Sequence, residues 1–149
     1  MQTRIIPSSE LIINDDGSVF HLHLRPEQIA DTVILVGDPA RVATVSAMFD
    51  SVECRASNRE FNTVTGSYRG KRMSVLSTGI GIGNIDICVT ELDALANVDF
   101  ATRTVRERKR RLNLVRLGTS GALQPDIAVG EVVYSATSVG FDGLLNFYE

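Results

Sequence analysis

No tryptophan occurs in this sequence, and only two cysteines and two histidines do. Cys54 and Cys88 stand far apart with no CxxC or Cys/His spacing, which excludes a disulfide framework and a structural zinc site and leaves two reduced thiols. Aromatic residues make up 6% and are not interleaved with the basic ones, and the formal net charge is −3, so nucleic acid is not the expected partner. The chain also lacks an uninterrupted apolar run long enough for a signal segment or a membrane span, and a cytoplasmic protein without membrane contact is expected. Small molecules are the remaining class of partner. What is present is 44% hydrophobic content over 149 residues, enough for the core of about one domain.

Residues 1–18 show no sustained periodicity and close on the turn cluster Asn14, Asp15, Asp16, Gly17, so they read as a loosely attached arm ahead of a domain at 19–149. Val19 to Leu24 alternates, which as an extended segment would place His21 and His23 on one side. Two histidines without a third ligand fit an exposed strand face better than a metal site. Thr32 to Gly37 is a continuous apolar run, the pattern of a strand covered on both faces. Asp38 as N-cap and Pro39 as first helical residue then start a helix carrying Val42 and Val45. Val52 to Ala56 reads as a short strand, and Thr63–Tyr68 with Met73–Ser77 as a hairpin about Arg69, Gly70 and Lys71. Gly79, Gly81 and Gly83 lead into a helix with Ile85, Cys88, Val89, Leu92 and Leu95 on its apolar side. A dinucleotide loop would need glycine where Asn84 stands, which counts against an NAD site.

The basic stretch 102–111 reads as a solvated helix end or loop. Leu112 to Leu117 reads as a buried strand, followed by a turn and a second β segment from Gly130 through Val139. Alternating strands and helices give an α/β fold with a mixed, partly parallel β-sheet flanked by helices, in which ligands sit beyond the carboxyl ends of the strands.

Two arginines stand out at those ends. Arg116 closes an apolar strand and meets Gly118, Thr119, Ser120 and Gly121 at once. A guanidinium there either snorkels to water or pairs with an anion that the glycines allow to approach. Arg41 falls in the first turn of the helix after Gly37, where the macrodipole favours anions over cations. It is either a solvated surface residue or the second half of an anion site.

Taken in order, VFHLHL, VILVGDPARV, SNREF, STGIGIGN with Glu91 and Leu92, and VRLGTSGALQPDIAVGEVV resemble the nucleoside phosphorylase family, in particular its uridine phosphorylase branch, over residues 19–143. The resemblance implies splitting of an N-glycosidic bond, uridine's above others, by inorganic phosphate as co-substrate, with no further cofactor, to give free base and ribose 1-phosphate. It implies that Gly37 gives a backbone N–H to phosphate, that Arg41 and Arg116 pair with its oxygens, and that Thr119 donates a hydroxyl. Arg59 would reach the phosphate of a neighbouring subunit and His21 the neighbour's ribose 5′-hydroxyl, so the expected assembly is a homo-oligomer built from dimers with shared sites, up to a hexamer. Thr119 and Gly121 would lie against the nucleoside, Gly121 at the base, and Glu60 would help hold a potassium ion between subunits.

Asn84 stands where the family has a serine near that cation. Members of the family also continue well past this length, into a half that carries base recognition and the acidic pair for the ribose hydroxyls. The chain therefore reads as truncated, holding the phosphate half of a site, with its catalytic residues expected elsewhere. A purine nucleoside phosphorylase or nucleosidase of the same fold, or a catalytically incomplete phosphate-binding fragment, are the alternatives.

Overall fold

The computed structural model describes residues 4–148 and divides into two compact units, Met1–Leu117 and Gly118–Glu149. The first contains a five-stranded sheet in the order β2-β3-β4-β1-β7, formed by β1 (Thr32–Val36), β2 (Ser51–Asn58), β3 (Phe61–Tyr68), β4 (Lys71–Ser77) and β7 (Asn113–Arg116). β2, β3 and β4 run antiparallel, whereas β1 is parallel to both β4 and β7. The sheet is thus mixed, as the sequence pattern implies.

The β3–β4 connection is the two-residue loop Arg69–Gly70, both with positive φ (50° and 74°), the backbone a hairpin of right-handed twist requires. Helix α1 (Pro39–Ser46) begins as its sequence dictates: Asp38 accepts a hydrogen bond from the Ala40 N–H at 2.8 Å, and Pro39 occupies the first turn.

Alternation along β1 explains the two layers of core. Val33 and Leu35 join a cluster with Phe61, Leu76, Cys88, Leu92 and Leu95, the last three from helix α2 (Ile82–Asn97). Ile34 and Val36 face the other way, into a cluster with Val42 and Val45 of α1, Val64 and Val75. One helix therefore covers each face of the strand that carries Gly37 at its end.

Residues 5–24 are tied into this unit. The Ile6 N–H donates to the Arg103 carbonyl at 2.8 Å, and Arg103 donates through Nε to the Ile6 carbonyl and through Nη2 to the Leu11 carbonyl. Leu11, Val19, Leu22 and Leu24 are buried. The expected extended segment over Val19–Leu24 is instead a tight turn, with the Val19 N–H bonded to the Leu24 carbonyl and His23 at φ 49°. Leu22 and Leu24 go inward as the alternation implies, but in the turn Val19 is buried as well, and Phe20 and His21 are both half-buried.

The basic stretch is more structural than its charge suggests. A short ribbon, β5 (Val98–Asp99) with β6 (Thr104–Val105), reverses the chain after α2. Arg110 then pairs with Asp31 at 2.5 Å and donates to the Ile29 carbonyl at 2.6 Å, fastening the approach to β7.

Two expectations fail at the end of the sheet. Leu114, Val115 and Leu117 are 42–46% exposed rather than buried, because among the described residues β7 has a strand partner on one side only. In the second unit Glu131–Val139 forms no strand, and the one regular element among the described residues is a 3₁₀ turn, Leu144–Phe147. A strand needs a neighbour for its backbone N–H and C=O groups, and that segment has none within its unit. Among the described residues, no helix is long and apolar enough to cross a membrane.

Candidate functional site

The parallel arrangement of β4, β1 and β7 sets three chain ends side by side. Register pairs Val36 with Ser77 and Leu35 with Arg116, and the next bonds in each ladder, Thr78 N–H to the Val36 carbonyl and Leu117 N–H to the Leu35 carbonyl, continue it beyond the strands. Gly37, Thr78–Gly79 and Arg116 therefore line one edge, at the carboxyl ends of the strands.

The approach there is close. A Cβ on Gly37 would stand 3.3 Å from Arg116 Nη2 and 3.8 Å from the Gly79 carbonyl oxygen, so a side chain at 37 would fill the space into which the guanidinium extends. Arg41 follows four residues on, in the first turn of α1. Among the described residues no carboxylate forms an ion pair with Arg41, Arg59 or Arg116. Two cations near a helix N-terminus and a glycine N–H, without a protein anion, present a field suited to an external one.

A second cluster forms around the Arg59–Glu60 turn between β2 and β3, with Arg59 at φ 53°. The Arg59 guanidinium lies over the Phe20 ring at 5.9 Å, and Phe20 meets His21 edge-on at 4.9 Å. Glu60 accepts a hydrogen bond from Asn84 Nδ2 at 2.7 Å. Its own backbone N–H, then Asn84, hold its carboxyl below the usual carboxylate range, with smaller help from the nearby Arg59 and His21 side chains. Gly79, at φ 67°, joins the two clusters: a Cβ there would lie 2.7 Å from Glu60 Cγ and 2.8 Å from Asn84 Nδ2.

The structure thus brings Gly37 and Arg116 together, and His21, Arg59 and Glu60 together. Thr119 and Gly121 belong to the second unit; both are exposed, and Gly121 has open space where a Cβ would stand. No group of three or more His, Cys, Asp or Glu side chains suited to a metal ion occurs among the described residues. His23 is exposed on the left-handed residue of its turn, while His21 Nδ1 lies 2.7 Å from Glu91 Oε1.

Glu91 is the residue that pattern reading leaves without a role. It is buried on α2, and its carboxylate accepts from the backbone N–H groups of His21 and Leu22. The signal was present: Cys88, Glu91, Leu92 and Leu95 stand at i, i+3, i+4 and i+7, which puts an acid on the apolar stripe. Asn58 completes the hold, donating through Nδ2 to the Phe20 and His21 carbonyls at 3.3 and 2.9 Å. Cys88, beside Glu91, has its thiol pushed up to about 12 by burial and by that carboxylate.

Comparison with known proteins gives a consistent result. A family model described as the Phosphorylase superfamily matches residues 31–149. A uridine phosphorylase of Thermococcus kodakarensis is 33% identical over 141 residues, 95% of this chain and 46% of the relative. A DeoD-type purine nucleoside phosphorylase of Bacillus subtilis is 36% identical over 119 residues, 79% of this chain and 46% of the relative. Among solved structures, a Trypanosoma brucei nucleoside phosphorylase described as showing uridine phosphorylase activity superposes with a TM-score of 0.73 at 34% identity, over 79% of this chain and 41% of that one. The chain spans about half the length of the curated relatives it matches.

Proposed function

Because this chain belongs to the Phosphorylase superfamily, we propose that it carries the phosphate-capturing part of a nucleoside phosphorylase. The observation that carries this is the convergence of Gly37, Gly79 and Arg116, which meets no carboxylate among the described residues, at the carboxyl ends of three adjacent parallel strands, with Arg41 in the first turn of α1 that follows Gly37. Phosphorolysis requires a phosphate dianion to be stripped of water and aimed at the anomeric carbon. Charge-assisted bonds from guanidinium groups, a glycine N–H and a helix N-terminus offset the lost hydration and fix the direction of attack. In this reading Gly37, Arg41 and Arg116 bind phosphate from within the protomer, and Thr119 adds a hydroxyl.

Arg59 and His21 serve a neighbouring protomer, Arg59 at its phosphate and His21 at its ribose 5′-hydroxyl. Their clustering through Phe20 on one patch supports donation as a unit. Glu60, ionised and fixed by Asn84, offers an oxygen to a potassium ion, and Gly121 lies against the base. Uridine is the preferred substrate in this reading, since the uridine phosphorylase of Thermococcus kodakarensis aligns over 95% of this chain, against 79% to 85% for the DeoD-type purine enzymes. The similarity to DeoD-type purine enzymes favours inosine as the second reading.

The test is release of free base from uridine and from inosine by the purified chain with and without inorganic phosphate, with phosphate-induced thermal stabilisation read on the same sample. Stabilisation with phosphate-dependent release from uridine is expected of a complete site. Stabilisation alone assigns the chemistry to groups beyond these residues. Release that ignores phosphate overturns the proposal.

A further inference from the structure

Glu91 makes more contacts to the segment bearing His21 than holding a turn requires. Its Oε1 accepts from the His21 backbone N–H at 3.0 Å and lies 2.7 Å from His21 Nδ1, while Oε2 accepts from the Leu22 N–H at 2.8 Å and from the His21 N–H at 3.1 Å. The side chain is only 9% exposed, and it emerges from the apolar stripe of α2 among Cys88, Leu92 and Leu95. A carboxylate is costly to bury, and here three N–H donors converge on it. The two backbone donors would suffice to fix the turn. The ring donor has a different consequence.

We infer that Glu91 is a positioning residue for the proposed nucleoside contact: it holds His21 in the Nδ1–H tautomer and leaves Nε2 as a bare acceptor for a sugar hydroxyl. The chemistry is forced by the partner, since an ionised carboxylate accepts but cannot donate, so the proton between the two groups resides on Nδ1. In the neutral ring the other nitrogen is then an acceptor. No protein group among the described residues bonds to His21 Nε2. The ring is held on its other sides as well, by the edge of Phe20 at 4.9 Å and by Phe61 at 6.3 Å, and Asn58 anchors the His21 carbonyl. His21 is therefore set, before any ligand arrives, with its accepting nitrogen unused and its side chain 25% exposed. This inference rests on the proposed role of His21 at the ribose 5′-hydroxyl, and it adds why one tautomer is required: a hydroxyl offered to Nε2 must find a lone pair there and not a second donor.

The chain has only two histidines, so both rings can be followed without ambiguity by long-range ¹H–¹⁵N correlation at pH 8 on protein labelled at histidine. His21 is expected as the Nδ1–H tautomer in the wild type, and as a tautomer average in Glu91→Gln, whose carboxamide has a single acceptor oxygen for three donors. His23, exposed and outside this network, is expected to stay unchanged and serves as the internal control. Alongside, with phosphate present, uridine and 5′-deoxyuridine are compared by the concentration giving half-maximal thermal stabilisation. About a tenfold preference for uridine is expected in the wild type, corresponding to one hydrogen bond of roughly 1.4 kcal/mol, and its loss in Glu91→Gln, with phosphate-induced stabilisation unchanged.

An Nε2–H tautomer in the wild type overturns the inference without needing any variant. So does an unaltered His21 tautomer in folded Glu91→Gln. An Nδ1–H tautomer in a wild type that treats the two nucleosides alike overturns instead the role of His21 at the 5′-hydroxyl, and the two failures are thereby told apart.

Discussion

At the scale of single residues, the site depends on where charge is left unmatched. Several arginines here are spent on structure: Arg72 on Glu53 and the Ile29 carbonyl, Arg103 on the N-terminal segment, Arg110 on Asp31. Among the described residues Arg116 donates only to the carbonyl of its neighbour Leu117, which leaves the rest of its donors for a ligand. Arg116→Ala is expected to weaken phosphate binding by about 10- to 100-fold, the range for losing one hydrogen bond to a charged group. Phosphate titration followed by calorimetry or thermal shift checks it, and unchanged affinity in a folded variant removes Arg116 from the site. Stability should barely move, because the side chain is exposed and bears no core contacts.

At the scale of elements, what was legible in the sequence was whatever local chemistry decides. Asp38–Pro39 starts α1 and Arg69–Gly70 turns the hairpin, each through interactions spanning a few residues. Val19–Leu24 reads equally well as strand or turn, since both put Leu22 and Leu24 inward and differ only in contacts to Asn58 and Glu91, which lie far along the chain. The arginine end of the site was legible for the same local reason, a cation beside glycine at a strand end. Glu91 was not, because its role exists only once α2 is laid against the turn 70 residues earlier.

Gly66 shows the same limit within the sheet. It looks like an ordinary strand residue, yet a Cβ there would stand 2.1 Å from the Ser51 carbonyl oxygen and 2.8 Å from Phe49, next to the point where β2 shifts register between Val52 and Cys54. Backbone cannot step aside as a side chain can. Gly66→Ala is expected to destabilise the fold by roughly 3 kcal/mol, the upper end for overpacking. Urea unfolding of the two proteins measures it, and a difference under about 0.5 kcal/mol, within the usual range for surface substitutions, would show that β2 moves freely.

At the scale of the whole molecule, the sheet has a consequence for behaviour in solution. Among the described residues β7 pairs with β1 on one side and has no strand on the other, so its outer N–H and C=O groups can template another strand. The side chains around that edge are apolar and nearly half exposed, Leu114, Val115 and Leu117 among them. Parallel strands are normally covered on both faces and flanked on both edges. A sheet that presents this edge is expected to associate with a second copy as concentration rises. Sedimentation velocity over a range of concentrations tests this, with Val115→Lys as the comparison. A lysine on an edge strand must be stripped of water for a second strand to dock beside it, which opposes pairing, while at a position already 46% exposed it costs the folded chain little. Association that falls in Val115→Lys identifies the β7 edge as the seam. Association of equal strength in both proteins places the seam elsewhere, and a wild type that stays monomeric throughout shows that the edge is protected by the chain itself.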